Sequence, residues 1–283
     1  MRRLEQVMKK RTILASAGIV GKIALLCFVA IAAGPGGSAA FALDLMGPPR
    51  ATVEQGQIGA GADFSLGEAD IKLKNGWWIE TQAGVFQDAG GARDISMKDF
   101  ETTKLYGNIG YGIAENWEVF LRIGAKKAEF GDAIWAQGEE FDSGIDFAGG
   151  GGVRVTLFEI NDLEIGGLFQ LNWCNLDGKL DSSLLSSPVF VDIDLVETQI
   201  ALGATYPWTD SVSVYGGPFI HYIEGDFEAQ YPNYEIKWDI DEGPVYGGYL
   251  GAVLEIAENC FFSVEYQQSA DANAFAAGLM FRN

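Results

Sequence analysis

The sequence predicts an all-β fold, a transmembrane antiparallel up-and-down β-barrel of about ten strands, with eight or twelve as the alternatives. Three observations lead there. Apolar side chains recur with period two, the spacing that puts them on one face of a strand. The connections between such segments alternate between short and long. Beyond residue 42 no stretch is apolar for the roughly 20 residues a membrane helix needs.

Composition narrows the function classes. The chain has 283 residues and a formal charge of −20. Six of its 19 basic residues fall in the first 42, so residues 43–283 hold 13 basic and 38 acidic groups, a charge of −25. That excludes a nucleic-acid binder working through a basic face. An apolar share of 48% argues against a disordered chain. One His and three Cys are too few for a His-rich or Cys-rich metal site, and neither metal nor cofactor is expected.

Residues 1–42 read as a cleaved signal peptide. A basic leader ends at Lys22, an unbroken apolar run spans Ile23 to Ala33, and Gly34-Pro35-Gly36-Gly37 stops any helix. Ala40 and Ala42 supply the small residues before a cut. The competing reading, a permanent anchor over Thr12 to Ala33, would bury Lys22 in lipid. Leu26, bulky where a small residue is needed, argues against a lipid-modified Cys27. Residues 43–55 follow as a short N-terminal periplasmic segment, and 56–283 as the barrel.

Ten alternating segments lie near 56–66, 102–113, 117–126, 144–158, 163–174, 195–206, 211–222, 245–256, 260–268 and 273–282. In the first, Ile58, Ala60, Ala62, Phe64 and Leu66 share a face opposite Gln57, Gly59, Gly61, Asp63 and Ser65. In the third, Trp117, Val119, Leu121 and Ile123 oppose Glu118, Phe120, Arg122 and Gly124. Ala114-Glu115-Asn116, residues 159–162, 207–210 and Ala257-Glu258-Asn259 are tight turns. The turn Ile-Ala-Glu-Asn occurs twice, at 113–116 and 256–259, where Asn tolerates the turn conformation. The connections at 67–101, 127–143, 175–194 and 223–244 are long, polar and acidic, and 67–101 has room for a hairpin at Trp77 to Phe86. Short turns on one side and long loops on the other are the habit of a membrane barrel.

Tyr-Gly-Ile-Ala-Glu-Asn-Trp-Glu-Val-Phe (111–120) and Tyr-Pro-Trp-Thr-Asp-Ser-Val-Ser-Val-Tyr (206–215) resemble the periplasmic hairpins of small outer-membrane β-barrel proteins of Gram-negative-type bacteria. The likeness of pattern runs over about 56–283. It implies short periplasmic turns, acidic extracellular loops, outer-membrane lipid as surroundings and the barrel-insertion machinery as a partner in biogenesis. Such barrels usually end on an aromatic residue. This chain departs from that, ending Phe281-Arg282-Asn283.

Aromatic residues gather at the segment ends, as at a bilayer's two interfaces. Tyr111, Trp117, Tyr206, Trp208 and Phe281 sit by the short turns, and Trp173, Tyr222, Tyr246 and Tyr266 by the long connections. A soluble, lipocalin-like barrel, apolar inside, is the alternative. With lipid outside, parity sends Lys104, Arg122, Lys126, Arg154, Arg282, Asp63, Glu118, Asp146, Glu164, Glu197, Glu255 and Glu265 into the lumen, with Tyr106, Phe120, Gln170 and Asn172 as bulk. In a barrel this narrow such charges pair or stay wet.

His221 is the only histidine, points inward near the outer end of its strand and has Glu224 and Asp226 close in sequence. The omptin proteases resemble this layout, with His and acidic residues above the membrane, and phospholipase-type barrels use a Ser with a His. No motif here singles out a Ser or a paired acid, and a polar lumen residue is the plainer reading. Acids outnumber bases five to one in 127–143, four to one in 175–194 and seven to one in 223–243. Asp192-Ile193-Asp194 and Asp239-Ile240-Asp241-Glu242 are candidate contacts for divalent cations, without EF-hand spacing. Phe227, Ala229, Tyr231 and Tyr234, Ile236, Trp238, Ile240 form an alternating hairpin about Pro232-Asn233. Its apolar stripe is either a surface for a partner or packing against neighbouring loops. Cys174 and Cys260 fall at opposite membrane faces, too far apart to bridge.

The function these features favour is a non-enzymatic, monomeric integral outer-membrane barrel with a narrow, salt-bridged lumen and acidic surface loops. A narrow cation-preferring porin-like diffusion channel and a surface enzyme centred on His221 are the alternatives.

Overall fold

The computed structural model describes residues 43–82, 85–131, 139–182, 189–232 and 234–283, and among them there is no helix. The leader read at 1–42 lies outside the described residues. Twelve strands follow in chain order. They are β1 (Ile58–Gln82), β2 (Val85–Gly91), β3 (Ile95–Ala114), β4 (Trp117–Gly131), β5 (Glu139–Ser143) and β6 (Asp146–Ile160), then β7 (Leu163–Ser182), β8 (Val189–Thr209), β9 (Val212–Gln230), β10 (Tyr234–Ala257), β11 (Cys260–Ser269) and β12 (Ala272–Arg282).

Ten of these close a ring. β1 pairs β3, then β4, β6, β7, β8, β9, β10, β11 and β12 follow in order, and β12 returns to β1, every pair antiparallel. Closure satisfies every edge, which lipid demands because it offers no hydrogen-bonding partner. The ten ring strands are the ten alternating segments of the sequence. β2 is the return arm of the hairpin at Trp77–Phe86, pairing Thr81 with Phe86.

The strands are far longer than a bilayer needs. About 9–11 tilted residues cross it, yet β1 has 25, β8 21 and β10 24. Much of what reads as long polar connection is strand that continues outward. β11 and β12 stop at the Ser269–Ala272 turn, and beyond it β10 pairs β1 directly, Ile240 opposite Leu73. β5 takes the place of β6 between β4 and β7. A ten-stranded ring thus continues as an eight-stranded one: β1, β3, β4, β5, β7, β8, β9, β10.

Polarity inverts between the two parts, with parity fixed along β4, β7, β8 and β9 and shifted on β10 by the irregularity between Glu242 and Val245. On the inward face of β8, Val189, Val191, Ile193 and Leu195 are buried and apolar, and Glu197 and Gln199 follow as buried polar groups. On its outward face Asp192 and Asp194 give way to Ile200 and Leu202. The outer ring has an apolar interior, filled by Phe100, Phe130, Phe141, Phe227, Ile236 and Trp238. Phe130 stacks on Phe141 at 4.6 Å between centroids, and Trp238 meets Phe227 edge-on at 5.7 Å. The apolar stripe of the 223–243 hairpin faces this core. Of the two readings open for that stripe, packing against its neighbours holds and a surface for a partner does not, because the closed ring buries Phe227, Ala229, Ile236, Trp238 and Ile240.

Around the ten-stranded part the outward face is apolar and open, with Leu121 73% and Leu250 68% exposed. Trp117, Tyr206 and Trp208 border it at the short turns, and Trp173, Tyr246 and Tyr266 at the other side. A soluble barrel would turn this face inward, so the belt belongs in lipid.

An occupied lumen as the candidate functional site

Residues 43–53 occupy the lumen. Expected as a periplasmic segment, they enter at the short-turn rim, where Gly56 N–H donates to Gly112 O at 2.8 Å, and rise to Leu43 beneath the outer apolar core. Two glycines make room. A Cβ on Gly112 would lie 2.0 Å from Glu54 O, and one on Gly166 2.0 Å from Pro49 O. The segment's own chemistry explains its place. Leu43, Met46 and Val53 are apolar, Asp44 and Thr52 polar, and all five are buried. The signal was present as a run rich in Leu, Met, Val and Pro, poorly suited to water.

Two wall carboxylates hold its backbone. Glu265 accepts the N–H of Met46 and of Gly47, each at 2.9 Å. Glu118 accepts the N–H of Thr52 at 2.6 Å and its hydroxyl at 2.8 Å, and also pairs with Arg154 at 2.8 Å. Arg154 in turn donates to Met46 O at 3.1 Å. Charge-assisted bonds of this kind are roughly twice as strong as neutral ones. Arg50 pairs with Glu164 at 3.0 Å and anchors the segment at the rim.

Above this lies a network around Asp44. Its carboxylate accepts from Asn172 Nδ2 at 2.7 Å and sits 3.4 Å from Lys104 Nζ, while its carbonyl accepts from Gln267 at 2.6 Å. Lys104 also donates to Glu197 at 2.6 Å, and Lys126 closes on the other Glu197 oxygen. Arg122 pairs with Asp63 at 2.7 Å, donates to Asn108 at 3.1 Å and lies over the Tyr106 ring at 4.3 Å. The charged side chains of this network are buried, so partners offset the cost of removing each charge from water.

The structure thus brings together Lys104, Arg122, Lys126, Arg154, Asp63, Glu118, Glu197 and Glu265 as one lumen. The other parity candidates sit elsewhere. Glu164 is at the rim, and Arg282 lies there over the Phe261 ring at 3.9 Å. Glu255 is exposed beside the short turns. Asp146 accepts the Asp177 N–H at 3.3 Å where β5 breaks from β6. Asp44 and Thr52 escaped sequence reasoning because only folding of the segment into the ring brings them there.

His221 is buried, with Nε2 3.4 Å from Ser269 Oγ. That hydroxyl donates to Ala272 O at 3.1 Å and accepts the Ala272 N–H at 3.0 Å, so it holds the β11–β12 turn. Cys174 and Cys260 are free thiols. Among the described residues no three His, Cys, Asp or Glu gather as a metal site. Just outside the membrane, burial pushes the Glu242 carboxyl up to about 7, against the pull of Lys72 Nζ at 3.9 Å. Neither Glu242 oxygen has a hydrogen-bond partner.

No family model and no curated protein matches the chain. Among solved structures, the outer-membrane protease OmpT of Escherichia coli is similar at 11% identity and a TM-score of 0.44, over 85% of this chain and 99% of that one. The translocator domain of the autotransporter NalP of Neisseria meningitidis is similar at 11% identity and 0.44, over 95% and 97%. The toluene transporter TbuX of Ralstonia pickettii follows at 9% and 0.36, over 80% and 88%.

Proposed function

We propose that this chain is a non-conducting, non-enzymatic outer-membrane barrel that carries an acidic, water-soluble β-barrel outside the cell. One observation supports it above all: the path through the molecule is closed twice. The segment 43–53 and its ion pairs occupy the membrane-level lumen, and the aromatic core of the eight-stranded ring fills the part above. The bonds of Ser269 within its turn support a structural place for His221 rather than hydrolysis. Partners in this reading are lipid around the belt and divalent counter-ions near Asp177, Asp192 and Asp194, where acids face water from adjacent strands. The refolded barrel in a planar bilayer tests the reading. It is expected to stay silent at any salt asymmetry while shown to be inserted. Steady openings that prefer cations would replace it with the channel.

A further inference from the structure

The ion pairs of the wall do not account for everything the lumen holds. Glu265 aims both oxygens at backbone N–H groups of residues 46 and 47, and Glu118 aims one at Thr52. Glu265 is buried and, apart from the segment, takes a hydrogen bond from Gln267. Without the segment, one of the most buried carboxylates of the barrel would lose both amide donors. Lys104 and Asn172 converge on the Asp44 carboxylate, with Arg122 Nη1 4.0 Å away. Gly112 and Gly166 are open where the segment's carbonyls pass. Backbone acceptors, a cationic pocket for one carboxylate and a cleared track are the parts of a peptide-binding groove.

We propose that the membrane-level lumen is a binding site for an extended peptide with a carboxylate near its inner tip, entered from the short-turn side, and that residues 43–53 are its resident ligand. The site is blind, because the outer aromatic core ends it. This goes beyond the closed-barrel reading and does not depend on it: the outer core alone stops conduction whether or not the segment is seated. The recognition elements are Glu265 and Glu118 for the backbone and Lys104 with Asn172 for the acid. Cys174, buried two residues beyond Asn172 on the same inward face of β7, lies next to the seat of the Asp44 carboxylate.

The native Cys174 thiol reports occupancy. The full chain carrying Cys27→Ser and Cys260→Ser, so that Cys174 is its single thiol, is refolded in micelles and treated with a small maleimide. Labelling is expected to be slow. The further changes Asp44→Lys and Gly47→Pro should unseat the segment. Lysine faces Lys104, and proline lacks the N–H that Glu265 accepts and cannot adopt the φ of +72° at Gly47. Labelling of Cys174 should rise at least tenfold. A synthetic peptide of residues 43–53 should restore protection saturably, and the same peptide with Asp44→Lys should not. Unchanged labelling in the unseated variant, or no protection by the peptide on a barrel shown to be folded, overturns the proposal. Should that variant not fold, amide exchange on the otherwise native chain decides. Glu265→Gln is expected to speed exchange at Met46 and Gly47 at least tenfold, and equal rates overturn the proposal.

Discussion

Leu195 and Glu197 point into the barrel from neighbouring inward positions of β8, yet one packs in an apolar core and the other binds two lysines. The level between them is where the surroundings of the wall change from water to lipid. A strand facing water outside keeps its apolar residues in, and one facing lipid keeps them out. Along β8 the alternation runs through unbroken, and only its polarity reverses.

That division predicts separable stabilities. Phe227→Ala removes a fully buried aromatic from the outer ring, and such losses cost about 3–5 kcal/mol. The outer strands should become protease-sensitive while the ten-stranded part keeps its heat-modifiable mobility on a gel. Joint loss of both would show that they fold as one unit.

The lipid belt predicts an asymmetry between two outward positions. Leu121→Arg, on the exposed apolar face of β4, should cost about 2–4 kcal/mol in a bilayer. Asp226→Arg, outward on β9 beyond the membrane, should change stability by under about 0.5 kcal/mol. Urea titration of both variants in liposomes checks the contrast.

Glu197 is the shared acceptor of Lys104 and Lys126. Glu197→Ala strips both buried ammonium groups of that carboxylate, and breaking a buried pair costs about 3–5 kcal/mol. A fall in thermal midpoint in detergent is expected, with Glu197→Gln intermediate. Equal midpoints for Glu197→Ala and the parent chain would mean that water fills the site.

Glu242 predicts a pH dependence. Its folded pKa of about 7 lies above the ordinary 4.5, so the folded chain holds the proton more tightly than the unfolded one. Its contribution to stability is therefore greatest below about 4.5 and is lost as pH rises through 7. Glu242→Gln should stabilise the barrel at pH 8 by about 1–3 kcal/mol and change little at pH 4.5. Parallel stability curves for the two chains across that range would refute this.

Much of the membrane part was legible in the chain. Period-two alternation located the ten ring strands, parity placed Lys104, Arg122, Lys126, Arg154, Glu197 and Glu265 inward, and the aromatic residues marked both interfaces. These are local properties, because a strand's two faces are fixed by its own residues. The hairpins at 77–86 and 223–243 were legible for the same reason. Three things were decided only by the tertiary structure. Which medium met the Phe227–Trp238 stripe depended on β10 reaching β1 after β11 and β12 had stopped, a pairing between residues far apart in sequence. Which carboxylate served which cation depended on strands meeting across the lumen, as Lys104 meets Glu197 from β3 to β8. And Asp44 found its seat because a short segment with no periodicity of its own entered a ring whose vacant acceptors and glycines it fitted, a complementarity that exists only once the ring is closed.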